Sequence, residues 1–186
     1  MALHVLVAIA TGSEEIETLT PVDILRRAGA TVTLAAVGAN LEVSMSRGVK
    51  VTADDLLTNV ANTNFDLIVV PGGQPGANNM RDDATLVAML RRQKAEGRWV
   101  SAICASPAVV LKTHGILEHE PATCYPGMES ALENKSQVNS RVVVSGHVIT
   151  SRGPGTAMEF SLALVRALYG AEKEQQVGRQ LVAQGY

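Results

Sequence analysis

Aromatic residues are scarce: only 3% of this 186-residue chain is Phe, Trp or Tyr. Few rings are on offer as stacking platforms, and with 16 Lys and Arg against 18 Asp and Glu and no basic run, the charge footprint of a nucleic-acid binder is missing too. No sequence-specific nucleic-acid binding is expected. Long apolar runs are also lacking, since each breaks well short of the roughly 20 residues that a membrane-spanning helix needs, so no membrane partner is expected. The opening MALHVLVAIATG has no Lys or Arg to serve as a signal-peptide n-region and reads better as a first strand. Cytoplasmic residence follows as the expectation. Cysteine is confined to Cys104 and Cys124, too few for a disulfide framework and kept reduced in such a compartment. The histidines His4, His114, His119 and His147 show no metal-ligand spacing with one another or with the cysteines, and neither a metal nor a cofactor is expected.

What the chain has in quantity is short apolar segments. They recur at 3–10, 31–38, 65–73, 99–104, 141–146 and 147–155, and most are continuous rather than alternating, as expected of strands covered on both faces. Helical patterns separate them. Ile16, Leu19, Val22 and Leu25 define one that ends at Arg26, Arg27 and Gly29, with Pro21 expected to kink or restart it. Leu86, Met89, Leu90 and Gln93 line a second from Asp83 to Glu96, a third follows Cys104, and a final pair covers 155–170 and 172–184. Strands alternating with helices imply right-handed crossovers onto a mainly parallel sheet with helices on both faces. The 141–150 pair, turning at Ser145 and Gly146, predicts a small antiparallel hairpin at one edge. One domain over 1–186 is the expectation from length. Segment 42–51 fits none of these patterns.

Ligands of open parallel sheets gather at the carboxyl ends of the strands, and three unusual segments fall there: ATGSEEIET, PGGQPGANN and CASP. Cys104 ends one strand and opens a helix, where the positive end of the helix dipole favours a thiolate and a lowered pKa; a small buried side chain explains the position equally well. The acids Glu14, Glu15 and Glu17 complement the first turn of their helix, with Ser13 as the expected N-cap. If Ile16 points inward, Glu14 and Glu15 are solvated, whereas Glu17 can face the neighbouring strand ends as a carboxylic acid of raised pKa. PGGQPGANN lacks the order of a dinucleotide loop and reads either as a tight turn or as backbone donors for a reacting oxygen. SRGPGTA poses the same choice.

Together, GSEEIETLTPVDILRRAG, DLIVVPGG, AICASPAVVL and TSRGPGTAMEF resemble the DJ-1/ThiJ/PfpI superfamily, in its DJ-1 and YajL-like branch. The resemblance runs from the first strand to the last helix. It implies a flavodoxin-like three-layer α/β sandwich, usually a homodimer, with a reactive cysteine on a strained turn. It implies further that Cys104 is an oxidation-sensitive nucleophile, that Glu17 is a protonated carboxyl hydrogen-bonded to it, and that Gly73 and Ala105 supply backbone donors. Arg47 and Arg27 match arginines near the site and the dimer interface of relatives. Tyr125 stands where several relatives carry a histidine before proline; it can donate a hydrogen bond, but a phenol is a poor base near neutral pH. The function implied is a cofactor-independent enzyme acting on reactive carbonyls, by converting methylglyoxal or glyoxal to a 2-hydroxy acid or by deglycating protein and nucleotide adducts. The alternative is a redox sensor or redox-regulated chaperone whose Cys104 oxidises to sulfinic acid. Cys124 reads as a passive core residue.

Overall fold

Apolar runs that cannot face water on either side become the middle of a sheet. The computed structural model describes residues 3–186 and places β1 (His4–Ile9), β6 (Leu67–Val70) and β7 (Trp99–Ile103) at its centre, all parallel and buried almost throughout. β2 (Thr31–Ala36) pairs with the other side of β1, and β9 (Val148–Ser151) with the other side of β7, both parallel. The edges are β5 (Asp55–Leu56), parallel to β2, and β8 (Val142–Ser145), antiparallel to β9, giving the order β5-β2-β1-β6-β7-β9-β8. The expected edge hairpin is thus present. Segment 42–51 forms a separate antiparallel ribbon of β3 (Glu42–Ser44) and β4 (Lys50–Thr52).

Helices cover both faces, completing the flavodoxin-like sandwich. α1 (Glu15–Ala28), α4 (Ala157–Tyr169) and α5 (Ala171–Gln180) enclose one apolar cluster, which includes Ile24, Leu25 and Phe160. α2 (Gly76–Asp82) and α3 (Ala84–Ala95) enclose the other, with Met80, Leu86 and Leu90. Each such fully buried side chain contributes about 1.5–3 kcal/mol. α3 starts where Asp83 caps the amide of Leu86 and buries Leu86, Met89, Leu90 and Gln93, the side expected from spacing.

Several expectations need correction. α1 runs unbroken through Pro21, which it buries together with Val22, Ile24 and Leu25, and stops at Gly29 in the left-handed conformation. Packing on this face outweighs the lost backbone bond. The segment after Cys104 winds as a six-residue π-helical turn (Pro107–Lys112) rather than an ordinary helix, a form often found at functional positions. Ile16 is 52% exposed, whereas Glu14 and Glu15 are buried, the reverse of the expected facing. The N-cap is Glu14, whose carboxylate accepts from the Glu17 amide; Ser13 instead accepts from the Ala10 amide.

Candidate active site

Sequence-distant elements meet above Cys104. Its φ of 65° is left-handed, a conformation that a non-glycine residue adopts at a cost of order 1 kcal/mol, so something must hold it there. Two backbone bonds do. The Cys104 amide donates to Ser151 O at 3.0 Å, and Tyr125 N donates to Cys104 O at 2.7 Å, clamping the turn between β9 and the Tyr125 loop. The backbone N–H groups of Gly73 and Ala105 reach the sulfur and favour its thiolate.

Glu17 enters from α1 and is fully buried. Its Oε2 accepts from Gly72 N at 2.9 Å, and the carboxyl also hydrogen-bonds Cys104. Only glycine fits at 72: a Cβ there would stand 2.6 Å from the Cys104 Cβ and 2.7 Å from Glu17 Oε2. The PGG turn therefore works by close approach, bringing its amides against both reactive groups. Glu17 Oε1 is buried with no hydrogen-bond partner.

Burial, with the nearby charge of Glu14, pushes the Glu17 carboxyl up to about 7, against the bonds from Cys104 and Gly72. The thiol does not follow the expected direction. Burial first, and then the charge and hydrogen bond of Glu17, push Cys104 up to about 12, outweighing the Gly73 and Ala105 amides. Two of those three upward causes belong to an ionised Glu17. A protonated Glu17 removes the repulsion and can donate to sulfur, so the two groups act as one site sharing a proton.

A cavity of about 320 Å³ opens over the sulfur, lined by Arg47, Gly73, Cys104, Ala105, Tyr125 and Met128 among others. Arg47 arrives on the turn of the β3–β4 ribbon, which Glu15 holds by accepting from Ser46 Oγ and Arg47 N. Burial opposes ionisation of Glu15, but those two bonds keep its carboxyl below the ordinary range. Glu15 was missed as a contributor; three acids in one helical turn, more than capping needs, were the available signal. Tyr125 forms another wall, half exposed, its ring against Gly153. Arg27 stays outside the cavity of its own chain, three turns along α1, paired with Asp23 at 2.7 Å. Cys124 is buried, its sulfur 3.6 Å from Tyr125 O, and burial ahead of the Glu129 charge pushes its thiol up to about 11. SRGPGTA forms a turn in which the Thr156 hydroxyl bonds Gly153 N, holding Gly153 beside the site. No cluster of three or more metal-ligating side chains occurs among the described residues.

Residues 3–167 match the DJ-1/PfpI family. The chain is 52% identical over 176 residues to "Protein DJ-1 homolog A" of Arabidopsis thaliana, covering 95% of this chain and 45% of that protein. It thus spans less than half the length of that relative. Over 164 residues, 87% of this chain and 86% of the relative, it is 38% identical to "Glutathione-independent glyoxalase DJR-1.2" of Caenorhabditis elegans. The solved structure "Toxoplasma gondii DJ-1, oxidized" superposes with a TM-score of 0.95 at 46% identity, covering 98% of this chain and all of that one.

Proposed function

The chain belongs to the DJ-1/PfpI family, and from that premise we propose that it is a cysteine-dependent, cofactor-independent enzyme acting on small reactive aldehydes, with Cys104 as nucleophile and Glu17 as proton carrier. The observation that carries this reading is the placement of the Cys104 sulfur: on a left-handed turn, open to a cavity, between two backbone donors and a carboxyl whose pKa is about 7. A group that titrates there can both give and take a proton at neutral pH.

With methylglyoxal, the Cys104 thiolate adds to the aldehyde carbon, forming a C–S bond, and protonated Glu17 delivers its proton to the new alkoxide. The product is a hemithioacetal. The Gly73 and Ala105 amides hold the sulfur and lie next to the forming oxyanion. Glu17, now a carboxylate, removes the proton from the former aldehyde carbon as the ketone oxygen takes up a proton, giving an enediol; the neighbouring carbon is then protonated and the first hydroxyl gives up its proton, leaving a lactoyl thioester. Water cleaves that thioester to lactate and restores the thiol. Methylglyoxal plus water equals lactic acid, so no external oxidant or reductant enters. The C. elegans relative named as a glutathione-independent glyoxalase supports this substrate class. Deglycation of protein or nucleotide adducts would start from the same attack.

A second reading has its own observation: a relative of 46% identity was solved in an oxidized form. In that reading Cys104 is a redox sensor, and its sulfinic acid is hydrogen-bonded by Glu17. Lactate formation from methylglyoxal by the wild type, Cys104→Ala and Glu17→Gln decides between them. Turnover lost with Cys104 and reduced at least tenfold with Glu17→Gln supports the enzyme; no turnover, together with selective peroxide oxidation of Cys104, replaces it with the sensor. A homodimer belongs to the proposal too: Ile16 and Leu19 on α1 and Val49 on the β3–β4 ribbon are exposed apolar side chains that a second copy can cover. Sedimentation equilibrium tests it, and a monomer at micromolar concentration rejects it.

A further inference from the structure

The hairpin of β8 and β9 ends in two arginines that the proposed reaction leaves unused. Its register pairs Val142 with Ser151, so Arg141 and Arg152, one residue further out on each strand, come side by side at the open end. Like charges so placed repel. Both line a second cavity of about 430 Å³, together with Tyr125, Pro154 and Thr156, and no Asp or Glu contributes to its wall. This cavity adjoins the one over the sulfur, since Tyr125 and Pro154 line both. The clamps on Cys104 tie the two together. Ser151, which accepts the Cys104 amide at 3.0 Å, immediately precedes Arg152, and Tyr125, which donates to Cys104 O at 2.7 Å, belongs to the shared wall.

Neither guanidinium is used up. Arg141 gives Nε to Glu159, 2.9 and 2.8 Å from its two carboxylate oxygens, and Nη2 to Gly155 O at 2.7 Å, which leaves Nη1 without a hydrogen bond among the described residues. The Arg152 side chain is only 24% exposed, yet its one hydrogen bond among the described residues runs from Nη1 to Asn139 O at 3.4 Å. Its Nη2 is 3.7 Å from Glu129 Oε1, beyond hydrogen-bond reach, and Glu129 is held first by backbone amides, Gly127 N among them at 2.7 Å. A guanidinium so covered, with most of its five N–H donors unmet, calls for an acceptor. We propose that this cavity is an anion subsite of the active site, in which Arg152 and Arg141 bind the phosphate-monoester end of a substrate whose carbonyl reaches Cys104. A phosphate offers oxygens to both forks at once and removes their mutual repulsion. Methylglyoxal carries no such group, so the subsite bears on phosphorylated aldehydes. The inference rests on the reading of Cys104 as nucleophile, but its test follows alkylation of the thiol and needs no turnover.

Two labels make the comparison: hydroxyethyl bromoacetamide and its phosphate ester. Each alkylates a thiolate with loss of bromide, and only the ester carries the anion. Rates at Cys104, read by mass spectrometry and divided by the rates of the same labels with free glutathione, should favour the ester by about tenfold or more in the wild type. Arg152→Gln should bring that ratio close to one, and Arg141→Gln should lower it, whereas Arg47→Gln should leave it in place. Should Arg152→Gln not fold, inorganic phosphate added to the wild type gives the same comparison, slowing the ester and sparing the hydroxyl label. A ratio near one in the wild type overturns the proposal. So does a ratio that survives Arg152→Gln and falls with Arg47→Gln, which would place the phosphate at Arg47 in the first cavity. An intact ratio in a protein that forms no lactate from methylglyoxal would reject the glyoxalase reading and leave the subsite standing.

Discussion

At Cys104 and Glu17, reactivity depends on a shared proton. The first proton leaves the pair near the Glu17 value of about 7, and the one that remains can move between the carboxyl and the sulfur. Alkylation of Cys104 by iodoacetamide should therefore rise through neutral pH to a plateau. Glu17→Gln should lose that step and show a single rise at higher pH, because burial still opposes the thiolate and no carboxyl remains to release a proton. An unchanged profile would mean that the two groups do not titrate together. Both residues could be singled out from their neighbours in the chain, Cys104 because it sits on a strand-to-helix joint and Glu17 because three acids exceed one cap. The direction of the thiol shift could not, since it comes from burial and from a carboxyl 87 positions away in a chain of 186.

Elements position the site through backbone contacts more than through side-chain packing. Gly72→Ala should cost about 1–3 kcal/mol and abolish selective Cys104 alkylation, because its Cβ would stand 3.0 Å from Ile103 O as well as against both reactive side chains. Thermal unfolding and iodoacetamide labelling read the two effects. Glu15→Ala should unclamp the β3–β4 ribbon, leaving Ser46 Oγ and Arg47 N without their acceptor at a cost of about 1 kcal/mol. Faster hydrogen exchange at the Arg47 amide, with the central strands unaffected, is the expected result. Among the elements, those legible in the sequence were the central strands, by their continuous apolar runs, and α1, α3 and α4, by their helical periodicity. β5 has two residues and α2 starts at a glycine, so neither offers a window long enough to show a period. The facing of the first turn of α1 was misread because apolar Ile16 was taken to point inward, whereas the clamps of Glu14 and Glu15 turn those acids in and leave Ile16 out.

Over the whole molecule, burial of Glu17 makes stability depend on pH. Its carboxyl titrates at about 7 when folded against an ordinary value of 4.5, so between those values the folded state holds more protons than the unfolded one. Stability then falls as pH rises through this window, by as much as roughly 3 kcal/mol, and is fully restored below it. Glu17→Gln should flatten this slope and be the more stable form at pH 8. Urea unfolding of both proteins at pH 5 and pH 8 checks the sign; equal slopes would show that Glu17 does not ionise within the folded core.

The alternation of the main strands and helices, the parallel sheet, the edge hairpin and the presence of Cys104 on a joint were determined by the sequence alone. Each follows from polarity patterns and turn residues within a dozen positions, where local propensity and hydrophobic period act. What only the tertiary structure decided is the chemistry: that Glu17 meets an amide 55 positions away at Gly72, that Gly72 has no room for a Cβ, that Tyr125 covers Gly153, and that Arg27 stays apart. Desolvation and hydrogen bonding depend on which groups are brought within a few ångströms after folding, and residues far apart in the chain supply them.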